Sequence, residues 1–314
     1  MEGYTLLRRV REFLGEPVGG SFMNDRTSYD CLYDAVKDFN KKTHFQTGTQ
    51  VIPVGANVSD YNLNPDFVGM ALRDRYNKPF IKYTVNGTDY FLNPMDYQDM
   101  ILANDTSSSS VPSGYSIIDA PQVAQIAGAV TADGAITAST GECTLTDSGA
   151  DFSNVAAGDF VHNLTDGSHG VVLAKIGGTS LSLLCALFEG TTNAWTSGDD
   201  YMIVPQARYQ IIFTPTPSAV ATATITYIVR PDPVYSPFRA YKIPSDAELP
   251  ICQFAAYLYK YRDREPNIAD ALYKHYELFT SKAVKELNRG RSKPGFSVNL
   301  SKSNRRSTGS GGFR

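Results

Sequence analysis

Metal binding and acid–base catalysis need titratable side chains that converge at particular spacings, so the histidines, cysteines and carboxylates of this chain come first. His44, His162, His169 and His275 stand apart, and none sits in a His-Glu-x-x-His or Cys-x-x-Cys setting. His162 and His169, seven residues apart around a turn, are the nearest approach to a ligand pair, and a structural role is the expectation for both. Asp147, Asp151, Asp159 and Asp166 run through a turn-rich region, but the Asp-x-Asp-x-Asp-Gly order of a calcium loop is absent, so they read as turn formers. The sequence contains neither a phosphate-cradling Gly-x-x-x-x-Gly-Lys nor a Gly-x-Ser-x-Gly elbow. No catalytic, cofactor-binding or metal-binding residue is therefore nominated, and no enzyme is expected.

Cys31, Cys143, Cys185 and Cys252 are scattered, which fits a reducing compartment and burial as small apolar residues better than a disulfide framework. Whether Cys143 and Cys185 meet in the β-rich middle is left open by spacing alone. Arg8, Arg9, Arg11 and Glu12 interrupt the apolar residues that an export signal would need, and no apolar run reaches membrane-spanning length. The nineteen tyrosines include Tyr257, Tyr259, Tyr261, Tyr273 and Tyr276 at helical spacing. That pattern favours core and subunit-interface roles over base stacking.

If no residues converge for catalysis, the elements must instead position surfaces. Tyr4, Leu7, Val10 and Leu14 mark an amphipathic opening helix stopped by Gly15 and Pro17. Asn24 or Asp25 can cap a second helix, with Leu32, Ala35, Val36 and Phe39 on its apolar face. From residue 50 the texture turns to β: 51–54, then 80–85, an Asn86-Gly87 hairpin signal, and 88–92. Asn93-Pro94 opens a short helix predicted through residue 101. Residues 104–114 have loop composition, and 120–205 read as a small all-β unit. Within that unit Ala157-Gly-Asp-Phe-Val and Ser197-Gly-Asp-Asp-Tyr lie forty residues apart, a pseudo-repeat of Gly-Asp turns feeding aromatic-bearing strands. Strand texture returns at 209–213 and 223–229, so 115–118 and 209–213 are expected in one sheet with 120–205 inserted between them.

The C-terminal part begins with Ser245 and Glu248 at capping-box spacing, although Pro250 also offers a helix start. From Pro266 the apolar positions Ile268, Leu272, Tyr276, Phe279, Ala283 and Leu287 recur at steps of four or three. They predict one packed stripe on a helix about 35 Å long, begun by Pro266 and stopped by Gly290. Beyond it Arg291, Lys293, Lys302, Arg305, Arg306 and Arg314 carry six positive charges with no acidic residue. Such a tail cannot bury enough apolar area to order itself. Phe296, Val298 and Leu300 nevertheless alternate with polar residues as a strand added to a partner's sheet edge would, and Phe313 lies near the end. The net charge of −3 becomes −9 once the tail is set aside, giving an acidic body and a basic tail. That polarity argues against a dedicated nucleic-acid binder and suits a protein that DNA passes without being gripped.

The expected fold class is α+β. N- and C-terminal helices (1–47 and 245–290) form a helical bundle, a β platform (48–119 and 206–244) lies between them, a small all-β domain (120–205) is inserted, and a basic arm (291–314) follows. With Tyr4-Thr-Leu-Leu-Arg-Arg-Val-Arg-Glu-Phe-Leu14, the second helix, Asn64-Pro65-Asp66-Phe67, the strands of 209–233 and the terminal helix pair with its tail, the chain resembles the head-to-tail adaptor proteins of short-tailed bacteriophages. The resemblance covers residues 1–119 and 206–314. It implies a homo-oligomeric ring of about twelve copies docked under the portal protein. That ring extends the DNA channel and offers a platform to tail nozzle and fibre proteins in the virion neck, after assembly in the host cytoplasm. It also implies that the arm, carried by the residues named above from Arg291 to Arg314, grips the portal. The inserted unit departs from the family core and is expected on the outside. A second reading makes the chain a peripheral tail protein that binds fibres or host-surface glycan through that unit, with Phe188 and Trp195 as contacts.

Overall fold

The computed structural model describes residues 2–16, 25–71, 79–96, 98, 108–121, 124–137, 141–176, 181–262 and 264–290. The basic arm, with every contact residue nominated on it, lies outside the described residues. Of the short helix expected at 93–101, Asn93 and Pro94 instead end a strand, and residues 97 and 99–101 lie outside the described residues.

Strand outweighs helix, at 36% against 28%. The expected α+β class, a helical bundle bearing a small inserted β domain, is overturned: two nearly closed sheets dominate, and four helices among the described residues form a layer beside them. The physical reason is that many strands are only a few residues long and carry no periodicity that a window can detect.

The first near-barrel uses β1 (Thr47–Val54), β2 (Asp60–Asn62), β3 (Phe67–Met70), β4 (Ile81–Val85), β5 (Thr88–Pro94), β7 (Gly114–Asp119), β14 (Tyr209–Thr214) and β16 (Ala221–Val229). Its order is β1-β16-β4-β5-β7-β14-β2, with β3 also on β16. Asn86 and Gly87 at φ 50° and 76° make the predicted tight turn between β4 and β5. The Gln50 side chain bridges the two ends of the sheet, donating to Asn62 O at 3.1 Å and accepting from Asn64 N at 2.9 Å. Tyr83, Tyr115, Ile211, Phe213 and Ile225 fill the interior. A two-stranded parallel ribbon, β6 (Ser108–Ser109) with β15 (Thr216–Pro217), lies apart.

The second near-barrel occupies the predicted insertion. Strands β7 and β14 pair antiparallel with Asp119 opposite Tyr209, and Ala120 N donates to Arg208 O at 2.9 Å. The insert therefore leaves and rejoins the first sheet at neighbouring points. Its strands are β8 (Ile126–Ala129), β9 (Cys143–Thr146), β10 (Phe160–Asn163), β11 (His169–Lys175), β12 (Ser182–Phe188) and β13 (Asp200–Val204), in the order β8-β13-β10-β11-β12-β9. Trp195, Phe152, Tyr201 and Leu145 form its core. The pseudo-repeat is a real structural repeat. Asp159 and Asp199 each accept the N–H three residues back, at Ala156 and Thr196, both at 2.9 Å, after glycines at φ 92° and 95°. The paired strands β10 and β13 follow these turns.

The helices are α1 (Gly3–Leu14), α2 (Asp25–Thr43), α3 (Glu248–Arg262) and α4 (Pro266–Gly290). A short 3-10 turn, Ser245–Ala247, leads into α3 without a side-chain cap. Pro250 is the third helical residue, where its missing N–H costs no intrahelical bond. α3 is buried through Ile251, Cys252, Ala255 and Ala256 and touches all three other helices. One apolar cluster joins Leu6, Leu32, Phe39 and Ile251 of this layer to Val171, Leu173 and Ala186 of β11 and β12. Val172, Leu183, Cys185 and Leu187, on the opposite side of those strands, face the barrel core. These two strands are thus buried on both faces, and the insert is docked rather than hung outside. At the start of α1, Gly3 lies under the 236–241 segment, where a Cβ would come within 2.2 Å of Ser236 O.

One buried carboxylate ties the parts together. Asp159 is fully buried and meets Arg208 Nη2 at 2.6 Å, while it also accepts Gln206 N at 3.0 Å. Arg208 further donates to Asn154 O at 3.3 Å in the insert and Pro65 O at 3.5 Å in the first near-barrel. Removing one partner of a buried pair strands the other charge, so Asp159→Ala is expected to cost about 3–5 kcal/mol in urea unfolding. A loss under about 1 kcal/mol would show that the junction does not depend on it.

Candidate interaction surface

The helix α4 departs from its predicted stripe by a rotation about its axis. Ala269, Tyr276 and Thr280 are buried, with Leu272, Tyr273 and Ala283 packed partly beneath, so the inner line starts at Ala269 and not at Ile268. Ile268 is 48% exposed. Phe279 is half-buried with the Lys282 ammonium 5.3 Å from its ring centre, and the Leu287 side chain lies outside the described residues.

Aromatic contacts fix this rotation. Phe254 of α3 sits 4.5 Å from Tyr276, and Tyr257 sits 5.0 Å from Tyr273, centroid to centroid. The Tyr276 hydroxyl donates to the Asp38 carboxylate of α2, and Lys42 lies 2.8 Å from Asp38 and 4.7 Å from the Tyr276 ring centre. Burial, and then the Asp38 bond, pushes the Tyr276 phenol well above its ordinary value, which keeps it a neutral donor.

The rotation leaves a second row on the outer side of α4. Ile268, Ala271, His275 and Leu278 follow at steps of three and four, all exposed, with Leu278 at 52%. A shallow groove of about 460 Å³ runs along Ala271, His275 and Leu278, edged by Asn267, Asp270 and Lys274. Tyr261, 65% exposed at the end of α3, extends the apolar surface beside the α3–α4 turn. An apolar row flanked by charged residues on a long helix is a form that docks another helix or sheet edge.

The two aromatics nominated on the insert are elsewhere. Trp195 is 1% exposed inside the second near-barrel, edge-on to Tyr201 at 6.4 Å. Phe188 lies in the seam between β12 and α2, 6.4 Å from Tyr29, 6.0 Å from Tyr235, and 5.2 Å below the Arg26 guanidinium. Trp195 is therefore closed off from any outside contact, whereas Phe188 is part-buried. Arg26 also donates to His169 O at 3.3 Å, and Tyr235 donates to Asp30 at 2.5 Å.

His162 and His169 do meet, opposite each other across β10 and β11 with stacked rings 6.2 Å apart. His169 Nε2 lies 3.2 Å from Glu189. Among the described residues no group of three or more His, Cys, Asp and Glu is placed to hold a metal ion. Cys143 and Cys185 face each other in register on β9 and β12, both buried as free thiols that burial pushes up. No described helix is long and apolar enough to cross a membrane.

Sequence reasoning missed the Asp159–Arg208 pin because its members are 49 residues apart. The available signal was the shared Gly-Asp turn, which marked Asp159 as structural without disclosing its partner. No protein-family model matches the chain, and no curated protein sequence matches it.

The histidine pair has a pH consequence. Burial, followed by the neighbouring His169 and Arg26 charges, lowers the His162 pKa from its ordinary value. The unfolded chain therefore binds that proton more readily, so the stabilisation is complete above about pH 6.5 and is lost as pH falls through the lower folded value. Urea titrations from about pH 7 to 5 should show stability falling with pH, with a shallower slope in His162→Gln. An identical slope in the variant would clear His162 as the source.

Proposed function

We propose that this chain is a structural virion protein, a head-to-tail adaptor. Copies join as a ring beneath the portal protein, extend the DNA channel, and give tail nozzle and fibre proteins a platform in the virion neck. The observation that carries this reading is the exposed outer row of α4, Ile268, Ala271, His275 and Leu278, on the helix that precedes the basic arm in sequence. A helix with one buried row and one exposed row can pack its own layer and a neighbour at once. Head-to-tail contacts of that kind close into rings when the rotation between copies divides a full turn.

The arm adds a second contact of different chemistry. Its six positive charges follow a body of net charge −9, so encounter with an acidic neighbour is steered by charge while free copies repel one another. Phe296, Val298 and Leu300 then supply the alternating pattern for adding a strand to the portal. The acidic body lets DNA pass without sequence-specific binding.

Two variants separate the contacts. Deleting residues 291–314 is expected to leave the melting temperature unchanged while abolishing co-sedimentation with purified portal rings. Ile268→Asp combined with Leu278→Asp, both at exposed positions, is expected to leave a folded monomer that still binds portal through its arm but no longer closes a ring in electron micrographs. Undiminished co-sedimentation of the truncation, or normal rings from the double variant, would sink the corresponding half of the proposal.

A further inference from the structure

Arg230 immediately follows β16, and its side chain is only 10% exposed. Its Nη1 has no hydrogen-bond partner, and the nearest carboxylate, Asp159, stands 4.0 Å away, beyond hydrogen-bond reach. Asp159 is already engaged by Arg208 at 2.6 Å and by the N–H groups of Ala156 and Gln206. One carboxylate thus faces two guanidiniums, and the surplus positive charge is held in a nearly dry place. Burying a charge without a counter-ion is costly, so such a group is a standing demand for an anion.

Arg230 lines a cavity of about 250 Å³ between α2 and the first near-barrel. Lys37 and Lys41, one turn apart on α2, stand on the same wall with the Asp38 carboxylate between them in sequence, and Phe67, Val68 and Tyr209 supply apolar surface. The local acids are spoken for: Asp34 lies 2.6 Å from Lys37, and Asp38 binds Lys42 and the Tyr276 hydroxyl. Lys41 is exposed and has no acidic partner within 4.0 Å among the described residues. Arg230, which shares its one carboxylate with Arg208, and Lys41 therefore bring surplus positive charge to one hollow. The space holds several waters or one compact polyatomic ion, and is small for an extended ligand.

We infer that this hollow binds a phosphate-sized oxyanion, either free phosphate or a terminal phosphate group. The Arg230 fork holds its oxygens, Lys41 closes the open side, and the apolar wall excludes water. The inference is independent of ring assembly, since the cavity is built within a single chain.

The test uses the full chain, with inorganic phosphate as the probe and ionic strength held constant with sodium chloride. Isothermal titration calorimetry is expected to show saturable binding of one phosphate per chain, with a raised melting temperature. Lys41→Glu, at an exposed position that leaves the fold intact, should weaken binding by ~tenfold or more, and Arg230→Met should abolish it. A short oligonucleotide with and without a 5′-phosphate separates the sources: preference for the phosphorylated strand supports a terminal phosphate. Equal binding of both strands without binding of inorganic phosphate overturns the proposal in favour of a phosphodiester backbone. Absence of saturable phosphate binding, or unchanged affinity in Lys41→Glu, overturns it outright, whether or not Arg230→Met folds.

Discussion

Asp159 is fully buried, and the way its carboxylate is met determines how three parts of the chain sit together. The carboxylate belongs to a turn of the inserted barrel, and its partner Arg208 is the residue at which the chain returns to the first sheet. Arg208 also bonds carbonyls of both barrels, so one guanidinium fixes the angle at which the two meet. Buried ion pairs add little net stability compared with apolar packing, but they tolerate few alternative arrangements. The pin therefore sets orientation, and the apolar cluster shared by the helices and β11–β12 supplies most of the adhesion.

That division of labour gives the helical layer a fixed frame. α3, whose first half is buried through Pro250–Gln253, Ala255 and Ala256, acts as the layer's own core, while α1, α2 and α4 pack around it. Arg9 and Glu248, 2.6 Å apart, join α1 to the start of α3. α4 is held by aromatic rings on α3 and by the Tyr276–Asp38–Lys42 group on α2. Because those contacts fix its rotation, the outer row is presented in one orientation.

Much of the local structure was legible, because local signals decide it. The face of α2 through Leu32, Ala35, Val36 and Phe39 is written at helical period and is buried as read. Asn86-Gly87 specifies its turn through positive φ, and matching strand textures at 115–118 and 209–213 located the insertion. The balance of strand over helix was not legible, since strands such as β2, β3 and β8 are too short to show alternation. The register of α4 was missed for a different reason: Ile268 and Ala269 are neighbours, and only the rings of Phe254 and Tyr257 decide which of them turns inward. Phe188 and Trp195 show the same limit, because sequence cannot say whether an aromatic fills a barrel, a seam or a surface.

The neighbouring exit and entry of the insert, Asp119 opposite Tyr209, bears on how such a chain changes over generations. A segment whose ends already touch can enter a hairpin in one recombination event, with almost no loop left to close. Leaving is harder. Excision would uncover the helix surface that packs against Val171, Leu173 and Ala186, and would orphan the buried charge of Arg208. Acquisition is thus a single step and loss requires several compensating ones, so the insert behaves as an evolutionary ratchet. Lineages that gained it would be expected to diversify its outer loops rather than discard it.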